Sequence, residues 1–187
     1  MDTKERILAC AMSELERSGA DSFSLRSVGT AAGLTPMAVY RHYRDRDALL
    51  AAVGEAAFAE WQRRIERIGV KPPIQWLHAA GRAYLTFALD APAKFEACFV
   101  IRTSIERHYP VDFIAGRSPV VARMVAEIEA AQEAGALEAG DPLERAIFFW
   151  AQLHGLAMLH RSGRFALKRR AFLALAGRML ERMLQPA

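Results

Sequence analysis

Cysteine is scarce in this chain: Cys10 and Cys98 are the only two among 187 residues. Two cysteines without a spacing pattern exclude a disulfide framework and a four-ligand zinc site, so both read as buried reduced thiols. Long uncharged apolar runs are missing too. No stretch of about 18 apolar residues stands between polar flanks, which excludes a spanning helix. The opening Met1-Asp2-Thr3-Lys4-Glu5-Arg6 has no apolar core or cleavage site, so no signal peptide is expected and the cytoplasm is the expected location. Alternating apolar and polar residues are rare, which argues against strands. Catalytic signatures are lacking as well: no Gly-rich phosphate loop after a strand, no His-Glu-x-x-His or Glu-x-x-His, no Gly-x-Ser-x-Gly. His42, His78, His108, His154 and His160 have no acidic partner at ligand spacing. No metal, cofactor or catalytic residue is expected, and the chain does not read as an enzyme.

What remains is rich in helix formers. About half the residues are apolar (52%), enough for a sizeable core. Alanine, leucine, arginine and glutamate dominate, with apolar residues three and four apart, so the chain is predicted to be all-α with about nine helices. The net charge of +4 permits nucleic-acid binding without demanding it. Residues 1–50 hold seven Lys or Arg and seven Asp or Glu, so placement matters more than total charge.

Placement points to Ser24–Arg46. Ser24 can cap a first short helix with Leu25, Val28 and Ala32 on one face. Gly33 can supply the positive φ that ends it. Thr35-Pro36 then starts a second helix, the hydroxyl capping and proline at the first helical position. Two helices joined by a short glycine-containing turn form the helix-turn-helix plan. Gly29 stands where the first helix must pass close to the second. Val39 and Tyr43 can face the core, leaving Met37, Tyr40, Arg41 and Arg44 on other faces, suited to phosphates and base edges. Arg46, after Asp45, adds a further phosphate-directed charge.

Ala32-Gly33-Leu34-Thr35, Val39-Tyr40-Arg41-His42-Tyr43 and Asp45-Arg46-Asp47-Ala48-Leu49-Leu50 resemble the N-terminal DNA-binding domain of the tetracycline repressor (TetR) family. The resemblance is continuous from about Phe23 to Leu50. It implies that Tyr40 and His42 take the family's Tyr-x-His positions at the end of the recognition helix. It implies that Arg46 stands for the usual Lys that meets a phosphate, and that Arg26 lies where some members reach DNA. Gly29 departs from the usual Ala, a change worth up to about 1 kcal/mol of helix propensity. The DNA-contact candidates are therefore Ser24, Arg26, Thr35, Pro36, Met37, Tyr40, Arg41, His42, Arg44 and Arg46. Arg26, Met37 and Arg41 are the candidates for bases; Tyr40, His42, Arg44 and Arg46 are candidates for backbone positioning. On this reading Arg46→Ala flattens the salt slope of binding by about one unit.

The rest of the chain reads as a helical body. A first helix from near Thr3 carries Ile7, Leu8, Ala11, Met12 and Leu15 and ends at Gly19. A connector runs from Asp45 toward Ile68, before Gly69 and Pro72-Pro73. Helices then follow from Pro73, from Pro92, from Ser118-Pro119 to Gly135, from Asp141 to about Arg161, and from Lys168 to Leu184. Arg107–Arg117, with Pro110 and Gly116, reads as a loop. Residues 1–46 are expected to bind DNA and residues 47–187 to bind an effector and dimerise. The 141–161 helix is apolar almost all round and the 168–184 helix offers an extended apolar surface, which predicts a homodimer through these two helices. Trp150 with His154-Gly155 resembles the Trp-x-x-x-His-Gly signature of one C-terminal class in the family, the WHG type. The resemblance also puts the effector pocket inside the body, where Trp76, Tyr84, Phe87, Phe95, Phe99, Met124, Trp150, His154 and Met158 are the candidate walls.

These readings converge on a dimeric, ligand-responsive transcriptional regulator. Its expected partners are a palindromic double-stranded operator and a small hydrophobic effector that releases it. A DNA-binding protein without an effector, and an all-helical enzyme, are the alternatives.

Overall fold

The structure, a computed structural model, describes residues 2–185. Ten helices form in the described residues and no strand does: α1 (Thr3–Ser18), α2 (Leu25–Ala31), α3 (Pro36–Tyr40), α4 (Arg46–Glu66), α5 (Pro73–Asp90), α6 (Pro92–Phe99), α7 (Val111–Ile114), α8 (Pro119–Glu133), α9 (Pro142–Arg161) and α10 (Arg169–Met183). The all-α expectation holds. The extra helix is α7, inside the stretch read as a loop. Its cause is Asp112, whose buried carboxylate accepts the His108 amide at 2.7 Å and the Arg117 guanidinium at 2.8 Å. The His108 amide, then the Arg117 charge, hold this carboxyl below its usual range. Local turn signals at Pro110 and Gly116 say nothing about a carboxylate that gathers both ends of the segment. No helix of the described residues is long and apolar enough to cross a membrane.

The chain divides into two compact units. The first holds the chain up to Trp61 together with Ala91–Glu106; the second holds Gln62–Asp90 and the chain from Arg107 onward. The first unit thus takes in most of α4 and all of α6 beside the three N-terminal helices.

In the first unit α1 starts at a capping box. Asp2 accepts the Glu5 amide at 2.7 Å while Glu5 accepts the Asp2 amide at 2.8 Å. Ile7, Ala11 and Leu15 point into a core shared with Phe23, Leu25, Val28, Val39, Tyr43, Leu49, Leu50 and Val53. Glu14 is buried on the same helix and stays charged, because Arg17 grips both of its oxygens at 2.8 Å and holds its pKa down. α6 docks onto α4 through an ion pair, Lys94 to Glu60 at 2.7 Å, and through Phe99 edge-on to Phe58 at 5.4 Å. Cys10 and Cys98 lie half-buried against this core as free thiols.

In the second unit α5 is the central element, packed against α8, α9 and α10. Its Trp76, Leu77, Tyr84, Leu85 and Phe87 are all buried. Asp141 caps α9 by accepting the Leu143 and Glu144 amides. Ser118 precedes α8 as foreseen but makes no side-chain cap bond. α9 buries Ala146, Phe149, Leu153, Leu156 and Ala157 and leaves Phe148 (59% exposed) and Leu159 (45%) on its outer side. α10 buries Phe172, Ala176 and Leu180. Arg169 at its start holds Asp90 at the end of α5 with two guanidinium nitrogens.

Candidate nucleic-acid interface and body core

The helix-turn-helix is built from short-range rules that all agree. Ser24 caps α2 by accepting the Ser27 amide at 3.1 Å, and the Ser27 hydroxyl returns to the Ser24 backbone. Leu25, Val28 and Ala32 are buried along one face. Gly33 has φ +64°, a conformation that costs other residues about 1–2 kcal/mol. Thr35 caps α3 by accepting the Ala38 amide at 3.2 Å, with Pro36 at the first position. Gly29 lets α2 approach α3. A Cβ there would lie 3.2 Å from the Leu34 carbonyl and 3.3 Å from a Val39 methyl.

α3 stops at Tyr40, so Arg41, His42 and Arg44 lie in the turn that follows rather than on the helix. The backbone folds back there, the Tyr43 amide donating to the Val39 carbonyl at 3.0 Å. Val39 and Tyr43 are both buried, as their spacing predicts. Burying Val39 fully stabilises the pair by about 1.5 kcal/mol. The buried Tyr43 hydroxyl has no hydrogen-bond partner among the described residues, so this ring is held by packing alone.

Most of the predicted contact residues are exposed to solvent. Met37 (67% exposed) and Tyr40 (50%) project from α3. Arg26, Thr35, Pro36, Arg41, His42 and Arg44 are exposed as well, and Ser24 is half-buried at its cap. Arg44 pairs with Asp45 at 3.0 Å with its own side chain 87% exposed. So exposed a pair is worth little and leaves Arg44 able to swing. Arg46 is placed differently. Its side chain is 43% exposed, and its guanidinium donates to the carbonyls of Phe23 at 3.1 Å and Ala20 at 2.6 Å.

In the body, three of the predicted pocket residues meet. The Trp150 indole donates to the Tyr84 phenol oxygen at 3.1 Å, and that oxygen lies 2.8 Å from His154 Nδ1. The direction of that second bond follows the imidazole tautomer, and the ring is neutral in either case. Burial holds His154 below the usual imidazole range, in keeping with this neutral form. Phe113 of α7 sets its ring centroid 6.2 Å from Trp150.

The remaining candidates are dispersed. Trp76 and Phe87 are wholly buried, under Arg123 at 5.6 Å and Arg64 at 5.0 Å respectively. Met124 is buried and Met158 half-buried. Phe95 and Phe99 belong to the first unit, 5.2 Å apart. No spacing rule in the sequence reaches Arg64, Phe113 or Arg123, since each acts across helices. The second unit also carries two open grooves. One, of about 520 Å³, lies between α5 and α10 and includes His78, Arg82 and Gly177. The other, of about 640 Å³, includes Asp141, Phe148 and Met183. None of the predicted pocket residues lines either.

Residues 7–53 match the bacterial regulatory proteins of the tetR family, and residues 77–183 match the tetracyclin repressor-like C-terminal domain. No curated protein matches the sequence. Among solved structures, a protein of unknown function from Rhodococcus sp. RHA1 is 26% identical, with a TM-score of 0.78 over 99% of this chain and 96% of its own. A bacterial regulatory protein of the tetR family from Rhodococcus RHA1 is 20% identical, with a TM-score of 0.73 over 100% and 99% of the two chains. AibR, solved in complex with isovaleryl coenzyme A and operator DNA, is 17% identical, with a TM-score of 0.73 over 100% of both chains. The last two likenesses are of fold. Matched over its helix-turn-helix and over most of its body, the chain belongs to the tetR family of bacterial regulatory proteins, DNA-binding regulators of transcription.

Proposed function

We propose that the protein is a ligand-responsive repressor that binds a palindromic operator as a homodimer. The observation that carries the DNA reading is one capped helix-turn-helix whose Met37 and Tyr40 stand out of α3 and whose Arg26, Arg41 and Arg44 are exposed. Each copy sets α3 in a major groove, with half-sites about 34 Å or a multiple apart. Arg26, Met37 and Arg41 read base edges. Tyr40, His42 and Arg44, with Ser24, Thr35 and Pro36 at the helix starts, settle the backbone.

Residues 47–187 carry the other two tasks. Dimerisation through α9 and α10 is supported by the exposed Phe148 and Leu159 on a helix whose opposite face is already buried. A small hydrophobic effector is supported by aromatic residues around one hydrogen-bonded cluster, Tyr84, Trp150 and His154. AibR is a relative in fold that was solved with isovaleryl coenzyme A and operator DNA together. An effector acts by binding better to the state whose two α3 helices no longer match the groove.

The test is a titration of the purified protein against its own upstream intergenic DNA over a salt series, with stoichiometry. Two subunits per palindromic site and a steep salt dependence are expected. Weak, sequence-blind binding at every salt concentration refutes the operator-specific reading.

A further inference from the structure

Arg46 differs from the other predicted phosphate contacts: its guanidinium binds two backbone carbonyls while its side chain stays 43% exposed. Its Nε donates to the Phe23 carbonyl at 3.1 Å and one terminal nitrogen donates to the Ala20 carbonyl at 2.6 Å. The other terminal nitrogen faces Asp47 at 3.5 Å. Both carbonyls belong to the turn between α1 and α2, more than twenty residues back along the chain. The Ala20 carbonyl also accepts the Phe23 amide, at 3.2 Å, so it sits at the heart of that turn. Phe23 is buried in the core and directly precedes Ser24, the cap of α2. Next to Arg46, Asp45 accepts the Ala48 amide at 2.7 Å and so caps α4. Two consecutive residues therefore fix the start of α4, one to its own helix and one to the start of α2. α3 lies between those two points in the chain.

We infer that Arg46 is a positioning residue: it ties the α1–α2 turn to the start of α4 and serves DNA binding by holding α2 and α3 in place, not by giving charge to a phosphate. A planar guanidinium bridges two carbonyls with separate N–H groups, which a lysine ammonium, a single point of charge, does not reproduce. The arginine at this position is thus not a like-for-like replacement of a phosphate-binding lysine. The inference rests on the DNA-binding reading for its consequence, and on geometry alone for the tie.

Full-length Arg46→Lys and Arg46→Ala proteins test it in two readouts. The first is binding to a random-sequence duplex of about 30 base pairs over a salt series, where the slope counts cations at phosphates. It is run at a temperature where circular dichroism shows each variant fully folded. The second is hydrogen exchange of the backbone over residues 19–28. If Arg46 is a tie, both variants exchange about tenfold faster there, as expected for loss of charge-assisted bonds. Both also bind DNA several-fold more weakly at every salt concentration, with the wild-type slope, and lysine does not rescue. If Arg46 meets a phosphate, Arg46→Lys matches the wild type, Arg46→Ala lowers the slope by about 0.9, and exchange is unchanged; that result overturns the inference. Should the wild type itself fail to bind duplex DNA, the DNA reading falls while exchange still decides whether the tie exists.

Discussion

Removing one oxygen atom, by Tyr84→Phe, measures how much the body depends on its polar cluster. Tyr84 is 3% exposed, so the residue is almost entirely removed from bulk water. In the wild type that oxygen takes the Trp150 indole proton at 3.1 Å and meets His154 Nδ1 at 2.8 Å. Each bond is worth about 1 kcal/mol net, and a buried polar group deprived of its partner costs about 1–3 kcal/mol. Trp150 and His154 are only half-buried, so both can turn partly toward water, which keeps the cost near the lower end. The expected loss is about 2 kcal/mol, the sum of the two net bonds. At about 2–4 °C per kcal/mol for a chain of this size, the midpoint falls by about 4–8 °C. Urea and thermal unfolding followed by far-ultraviolet circular dichroism read this directly. Protein concentration is held fixed, because self-association adds mass-action stability. Trp150→Phe and the double variant complete a cycle, and the pair should be clearly non-additive. A Tyr84→Phe protein within about 0.5 kcal/mol of wild type refutes the reasoning, since the hydroxyl would then be no more useful than a water molecule.

Three further outcomes follow from the same structure. Burial keeps His154 below its ordinary pKa, so below about pH 6.5 the unfolded chain takes up a proton before the folded one. Stability is then full above that pH and declines as pH falls through the window down to the folded-state value. A His154→Asn protein should show a flatter midpoint-versus-pH curve there, and an equally steep one would contradict the assignment. Gly29→Ala should be close to neutral, because up to about 1 kcal/mol of helix propensity opposes contacts of 3.2 and 3.3 Å to Leu34 and Val39. Gly29→Val should lose about 1–3 kcal/mol by overpacking, and a stable valine variant in urea titration would show that the close approach is not what glycine serves. Burial pushes the Cys98 thiol up to about 12. At pH 8 an alkylating reagent should therefore leave Cys98 unmodified by mass spectrometry until the protein is unfolded, and rapid native labelling would rule the assignment out.

The helix-turn-helix is legible in the amino-acid order alone, because its capping and turn signals act over four residues or fewer. The caps at Ser24 and Thr35, the proline at Pro36 and the positive φ at Gly33 are local energies that no distant contact has to supply. The burial of Val39 and Tyr43 followed from spacing in the same way. So did the apolar character of α9 and the buried side of α10, which repeat every three or four residues. Which side chains meet depends on packing across the chain. Tyr84 reaches Trp150 and His154 across 66 and 70 residues. Arg46 looks in sequence like its exposed neighbours Arg41 and Arg44, yet its guanidinium is bonded to two turn carbonyls that lie within reach of its fork. The short helix α7 forms around one buried carboxylate, and α6 belongs to the first unit although its chain neighbour α5 belongs to the second. Backbone preference is written residue by residue, whereas the partner of a long side chain is set by which helices the core has already brought together.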